Sequence, residues 1–99
     1  MAQSNDSGKS TGNGKLSAAE LGQAALATVA ELTGHPPEAI TALQWDGDFW
    51  QVTVDALELA RIPNTTDVMG SYVVQLDEEG TLHGYRRDRR FLRGQPSEE

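Results

Sequence analysis

One stretch of the chain, Trp50–Tyr72, limits most strongly what it can fold into. From Trp50 to Val54, apolar and polar residues alternate, which is the period of a strand with one buried face. The alternation slips at Ala56-Leu57, and a β-bulge is the simplest cause because it inserts one residue and re-aims the side chains that follow. Pro63 has no N–H to donate to a sheet ladder and therefore ends the strand. We predict a bulged strand here, then a polar turn and the start of another strand.

A helix is predicted over Ala18–Thr33. Ser17 and Glu20 have the spacing of a capping box, which satisfies two backbone N–H groups at a helix start. Gly34 suits the left-handed position after a helix, and Pro36-Pro37 cannot continue one. The apolar residues at helical spacing form one narrow stripe: Ala18, Leu21, Ala25, Val29 and Leu32.

Two hairpin signals complete the predicted sheet. Asp46-Gly47 is typical of a tight type I′ turn, here between a strand over Ile40–Trp45 and the strand that follows. Asp77–Gly80 is typical of a second turn, between an apolar run over Val68–Leu76 and a last strand over Leu82–Phe91. We therefore expect an α+β fold in which one amphipathic N-terminal helix packs on a four-stranded antiparallel, meander-like sheet.

Composition divides the chain into three parts. Residues 1–15 are almost entirely polar and are predicted to be a disordered tail, because they cannot bury enough surface to offset the ordering entropy. Residues 16–94 are predicted to be a single α+β domain, and residues 95–99 a mobile acidic tail. No apolar run approaches the ~20 residues of a membrane span, and no signal-peptide core is present. With no cysteine, the composition suits a reducing compartment, and we expect a cytoplasmic protein.

Residues that carry catalysis or bind metals are scarce. His35 lies in a predicted helix exit and His83 in a predicted strand, where a solvent-facing position is the simpler interpretation of each. No close-spaced His/Asp/Glu motif accompanies them, and no nucleophile motif or glycine-rich phosphate loop is present. We predict a protein that is not an enzyme, with no cofactor, no metal and no small-molecule substrate.

Positive charge is concentrated near the end of an acidic chain. The formal net charge is -7, which disfavours general binding of polyanions. Arg61 is the only lysine or arginine between Leu16 and Tyr85, whereas five arginines follow Tyr85. Such a cluster can block edge-to-edge aggregation, bind nucleic acid, or dock an acidic protein partner through the arginine forks. We take the docking surface as the hypothesis, with these candidate residues: Tyr85, Arg86, Arg87, Arg89, Arg90 and Phe91.

In a regular strand, these candidates fall on two faces. Arg87 and Arg89 would share a face with Tyr85 and Phe91, and the remaining two arginines would lie opposite, beside Asp88. Aromatic and arginine groups together have the composition that protein interfaces favour.

Three charged residues, Asp55, Glu58 and Arg61, recur at every third position around the predicted bulge. If exposed, an arginine–carboxylate pair among them contributes only ~0–1 kcal/mol. Alternatively, the bulge brings them together as a polar staple before Pro63 or as a docking ridge. The residues alone leave these alternatives open.

The centre of the chain and its arginine-rich end carry a recognisable pattern. It consists of Trp50 followed by Val-Thr-Val-Asp, then Glu58-Leu-Ala-Arg61-Ile-Pro63-Asn-Thr-Thr-Asp67-Val, Tyr72, Leu76-Asp77, Gly80, Gly84-Tyr85-Arg86-Arg87 and Arg90-Phe91-Leu92-Arg93-Gly94. This pattern resembles the gas-vesicle protein O family (GvpO) from about residue 32 to Gly94. The motif residues are Trp50, Asp55, Glu58, Arg61, Pro63, Asp67 and Tyr72. Asp55 stands where we expect glutamate and Phe91 where we expect tyrosine, and both keep the chemical character.

The resemblance implies an accessory protein that is required for the assembly of gas vesicles. It implies contacts with other gas vesicle accessory proteins, with the shell protein as a further candidate, and an association with nascent vesicles. The family offers no active site to carry over. Two other classes remain open: a regulatory nucleic-acid-binding protein that uses the arginine cluster, and a ligand- or inhibitor-type domain, since this scaffold hosts many functions.

Overall fold

A computed structural model describes residues 15–95. Within this range the secondary structure comprises α1 (Ala18–Thr33), β1 (Pro37–Trp45), β2 (Trp50–Leu59), a short 3-10 helix (Asn64–Thr66), β3 (Val68–Leu76) and β4 (Leu82–Leu92). Each strand pairs antiparallel with its neighbour in the chain, so the sheet order is β1-β2-β3-β4. The predicted fold class is confirmed: one helix packs on a four-stranded antiparallel meander. Except for Lys15 and Gln95, the tails predicted at 1–15 and 95–99 lie outside the described residues.

Helix α1 has the boundaries that its end residues predict. The Glu20 N–H donates to Ser17 Oγ (3.1 Å) and the Ser17 N–H donates to Glu20 Oε1 (2.8 Å), which completes the capping box. At the other end Gly34 adopts φ 74° and its N–H donates to Ala30 O (3.1 Å). The helix start is tied to the β3–β4 hairpin, because the Leu16 N–H donates to Glu78 O (2.8 Å).

The core lies between α1 and one face of the sheet. Leu21, Ala25 and Val29 are buried against apolar side chains of the two central strands, namely Val52, Val54, Ala56, Tyr72, Val74 and Leu76. Full burial of each large apolar side chain stabilises the fold by ~1.5–3 kcal/mol. The ends of the predicted stripe are not in the core, since Ala18 is exposed and Leu32 is 47% exposed. Helix α1 therefore packs on the sheet through its central turns and not through its two ends.

The bulge in β2 lies at Glu58, not at Ala56-Leu57. Leu57 pairs with Met69 and Leu59 pairs with Val68, so Glu58 is the inserted residue. Ala56 keeps the parity of the core face and is fully buried. The alternation of apolar and polar residues breaks before the bulge itself, because Leu57 is an apolar residue on the helix-free face.

The first hairpin is also wider than predicted. Four residues, Asp46–Phe49, lie between β1 and β2, so a two-residue turn centred on Asp46-Gly47 is wrong. The N–H groups of Asp48 and Phe49 both donate to Asp46 Oδ1 (2.8 Å each). The side chain of Asp46 thus takes the place of the backbone carbonyl that would accept a hydrogen bond in a tight turn. In the second hairpin Gly80 has φ 86°, the positive value expected for it.

Candidate protein-docking surface

The arginine-rich strand β4 is an edge strand that is interrupted by a bulge. Tyr72 pairs with Arg87 and Ser71 pairs with Arg89, so Asp88 is the extra residue between them. Residues directly opposite in the ladder share a face. Tyr85, Arg87 and Arg90 therefore lie on the helix side of the sheet, and Arg86, Arg89 and Phe91 lie on the helix-free side. The predicted grouping of Arg87 and Arg89 on one face is wrong because the bulge reverses the alternation.

A carboxylate lies beneath the arginines on the helix side. Glu58 Oε1 accepts hydrogen bonds from Arg87 Nη1 (3.1 Å) and Arg90 Nε (3.0 Å). Glu58 Oε2 accepts the Tyr72 hydroxyl, which is donated from the neighbouring strand. Only 5% of the Glu58 side chain is exposed, against 43% for Arg87 and 61% for Arg90. A buried acceptor thus holds two half-exposed cations.

A glycine provides the space for this buried carboxylate. The Glu58 bulge lies close to Gly70 of β3, and a Cβ atom on Gly70 would overlap the Glu58 carboxylate. The same Cβ atom would lie 3.0 Å from Tyr72 Cε1. The absence of a side chain at this position is therefore part of the site.

The environment fixes the protonation states of the Glu58–Tyr72 pair. Burial acts to raise the pKa of Glu58, but the Tyr72 hydrogen bond and the two arginines outweigh it and hold that pKa below its usual value. Burial, reinforced by the neighbouring carboxylate, raises the pKa of Tyr72 to about 12. At neutral pH Glu58 is thus an ionised acceptor and Tyr72 a protonated donor.

A second network joins the end of β4 to the β2–β3 loop. Arg93 Nη1 and Nη2 donate to the two Glu38 carboxylate oxygens (2.8 Å each), and Arg93 Nε donates to Asp67 Oδ2 (2.9 Å). Asp67 Oδ1 accepts the Arg61 N–H (2.7 Å). This backbone hydrogen bond is the main reason that the pKa of Asp67 is lowered, and Arg93 reinforces it against the effect of burial. Both carboxylates raise the pKa of Arg93, so the network is fully charged at neutral pH.

The structure separates Asp55, Glu58 and Arg61. Glu58 belongs to the arginine cluster, whereas Asp55 lies on the helix-free face with one carboxylate oxygen buried and without a hydrogen-bond partner among the described residues. Arg61 is exposed and contributes its backbone N–H, so the polar staple at this bend is made by Asp67. Pro63, after a cis peptide bond, precedes the 3-10 helix.

The sequence did not reveal the partners of the motif carboxylates. Glu58 meets β4 residues 29 and 32 positions later, and Glu38 meets Arg93 across 55 positions. One available signal was a glutamate between two leucines at the end of the strand, because a glutamate that is buried there needs a cation. Trp50, the other motif residue, packs against the core, and the centre of its ring lies 5.4 Å from the centre of the Trp45 ring.

Outside these two networks, a histidine lies beside a carboxylate. His83 Nε2 lies 3.0 Å from Asp77 Oδ2, and its ring contacts Phe49. Among residues 15–95 no group of three or more His, Cys, Asp or Glu side chains is placed to hold a metal ion. In the same range, no helix has the length and apolar character needed to cross a membrane. A shallow depression of about 300 Å³, lined by Val73, Gln75, Gly84, Tyr85 and Arg86, lies beside the arginine strand.

Comparison with known proteins gives one consistent family. The family model described as "Gas vesicle synthesis protein GvpO" matches residues 4–97. Gas vesicle protein O of Streptomyces sp. strain CB03234 is 47% identical over 70 residues, which cover 71% of this chain and 55% of that protein. Gas vesicle protein O of Haloferax mediterranei is 37% identical over 54 residues, which cover 54% of this chain and 39% of that protein. The chain therefore spans about half, or less, of these curated relatives. No solved structure matches it.

Proposed function

Because the chain belongs to the GvpO family of gas vesicle synthesis proteins, we propose that it is an accessory protein required for gas vesicle assembly. It acts through protein–protein contacts with other gas vesicle proteins, in the cytoplasm and at nascent vesicles. The observation that carries this proposal is the family match over nearly the whole sequence. The shell protein is a further candidate partner.

The β4 strand is the proposed docking surface. Its candidate contact residues are Tyr85, Arg86, Arg87, Arg89, Arg90 and Phe91. Arg86, Arg87 and Arg90 are exposed, and the Arg89 guanidinium lies 4.9 Å from the centre of the Phe91 ring. Arginine forks bind carboxylates in a bidentate manner, and arginine with aromatic side chains is the composition enriched at protein interfaces. A protein with accessible carboxylates is therefore the partner that this strand suits.

Deletion of the gene in a vesicle-forming host tests the assembly role. We expect few or deformed vesicles by electron microscopy, and recovery when the intact gene is returned. Normal vesicle number and shape in the deletion strain would overturn the proposed role.

Replacement of the four arginines at 86, 87, 89 and 90 by glutamine tests the docking surface. Glutamine is preferred to glutamate because a second carboxylate beside Glu58 would disturb the fold. We expect the variant to lose stability, because the buried Glu58 carboxylate loses both its cations, but to remain folded by circular dichroism and to lose binding to the host's other purified gas vesicle proteins. Lys15→Gln is the control, a cation outside β4 that pairs with Glu78 of the β3–β4 hairpin (3.8 Å).

Two results would contradict the docking surface. One is a folded quadruple variant that binds the same gas vesicle proteins as the wild type. The other is loss of a sequence-specific DNA complex with protein binding intact, which would favour the nucleic-acid-binding alternative.

A further inference from the structure

We propose that Arg87 and Arg90 form a carboxylate clamp, oriented by Glu58, for two acidic side chains one turn apart on a helix of the partner. This inference rests on the proposed function, since it takes the partner to be a protein. It adds the chemistry of the contact, the spacing that is recognised, and a positioning role for Glu58.

The two guanidinium groups are accessible to solvent, whereas the acceptor that they share is buried. Both donate to the same oxygen, Glu58 Oε1, and that carboxylate is almost completely buried whereas the arginines are half-exposed or more. Arg90 uses its Nε for this contact and Arg87 uses its Nη1. Within residues 15–95, no acceptor is found for either terminal nitrogen of Arg90 or for Nη2 of Arg87. A guanidinium has five N–H donors, so both forks retain donors for an incoming carboxylate.

The charge of the cluster calls for a further anion. Two guanidinium groups share one carboxylate, so one positive charge is left over. The remainder of the described domain is mainly acidic. An anion that reaches the helix side of β4 therefore finds locally favourable charge that is already oriented, and it does not have to order two flexible side chains on binding.

The two guanidinium groups lie close enough together for acids on adjacent turns of a helix to reach one each. Each contacting nitrogen lies about 3 Å from the shared oxygen, so the two nitrogens can be no more than roughly 6 Å apart. Side chains at positions i and i+4 of a helix have Cβ atoms ~5–6 Å apart. Two acids at this spacing can each meet one guanidinium.

The edge of the sheet argues against a partner that adds a strand. β4 is interrupted by extra residues at His83 and at Asp88, and bulges disrupt the ladder that a further strand needs. Nucleic acid is a poorer fit, because its affinity comes from neutralising many phosphates and the chain carries a net charge of -7. A helical acidic segment of a protein fits both observations.

Fluorescence anisotropy with the full chain and two labelled peptides tests the clamp. Both peptides are helical and of the same composition; one carries its two glutamates at i and i+4, the other at i and i+2. We expect the wild type to prefer the first peptide by about tenfold, the difference that one well-made charged contact gives. Arg87→Gln with Arg90→Gln should remove the preference, whereas Arg61→Gln, at an exposed arginine outside β4, should keep it.

Two further variants separate orientation from charge. Arg90→Lys keeps the positive charge at this exposed position but lacks the guanidinium fork. It should bring the affinities for the two peptides within about threefold of each other. Glu58→Gln should lower the preference likewise, with circular dichroism confirming the fold. A preference unchanged in Arg90→Lys would overturn the clamp, as would equal binding of both peptides by the wild type. Tighter binding of a DNA duplex than of the i, i+4 peptide would also overturn it.

The outcomes also separate the clamp from the proposed function. If the peptide preference is absent but the quadruple glutamine variant still loses its gas vesicle partners, the clamp is wrong and the docking surface stands. If the deletion strain makes normal vesicles, the assembly role fails whatever the peptides show.

Discussion

Glu58 and Tyr72 lie on neighbouring strands, and the Tyr72 hydroxyl donates to Glu58 Oε2 beneath the two arginines that hold the other carboxylate oxygen. Both side chains are buried, yet each polar atom has a partner. The Tyr72–Glu58 hydrogen bond therefore joins β3 to β2, and the contacts of Glu58 with Arg87 and Arg90 hold β4 to both. This arrangement turns a buried charge, which is costly when unpaired, into a connection between three strands.

Tyr72→Phe tests how much this connection stabilises the fold. The change removes one hydrogen bond to an ionised group and leaves the aromatic packing, so we expect unfolding free energy to fall by about 1–3 kcal/mol. Urea unfolding measures it, with an unchanged dependence on denaturant as evidence that the folded state is intact. Tyr85→Phe, at an exposed tyrosine, is the matched control. Equal stability of the two variants would contradict the structural role of the hydroxyl.

Gly70→Ala tests the space around the carboxylate. The added Cβ atom overlaps the Glu58 carboxylate, so the side chain must leave its partners or β3 must shift; we expect a loss of about 1–3 kcal/mol. Gly84→Ala is the control, because its Cβ atom would meet only the end of the flexible Gln75 side chain, at 3.1 Å. Thermal unfolding of both variants compares them. A Gly70 variant as stable as the Gly84 variant would show that Glu58 moves aside at no cost.

The fold was predictable because its signals are local. The capping box at Ser17 and Glu20, the glycine at position 34 and the turn residues at 77–80 each act within a few positions, and all of them lie where they were expected. The bulge was misplaced because Leu57 is apolar on the helix-free face. Only the pairing with β3 shows which residue is inserted.

The candidate site was less predictable because its contacts are long-range. Sequence patterns indicated that the arginines of β4 matter, but a single inserted residue, Asp88, reverses which of them share a face. Nothing near Glu58 in the chain indicates that its partners are Arg87 and Arg90. The position of Asp67 under Arg93 is likewise set by the ladder between β3 and β4, which brings residues 26 positions apart together.

Acid should destabilise the protein through Glu58. Its pKa is lowered in the folded state, so the stabilisation is complete above the ordinary value of 4.5 and is lost as the pH falls through the lower, folded-state pKa. We expect urea unfolding between pH 7 and pH 3 to show stability decreasing below about pH 4.5, and Glu58→Gln to flatten part of that decrease. Glu31→Gln, on the exposed side of α1, is the control. An identical pH profile for wild type and Glu58→Gln would contradict the ionised, arginine-bound state.

Arg93→Gln tests the network that holds the β2–β3 loop. Arg93 binds Glu38 and Asp67 together, and Asp67 in turn accepts the Arg61 N–H. Without the guanidinium, Asp67 is free to rotate, so hydrogen exchange of the Arg61 amide should become severalfold faster while the amide of Val54 in the core is unchanged. NMR-detected exchange measures both amides, and Arg86→Gln, on β4, controls for the loss of an arginine at another position. An unchanged exchange rate at Arg61 would mean that Asp67 holds the β2–β3 loop without Arg93. The ion pair between Arg93 and Glu38 would then add nothing to the stability of the loop.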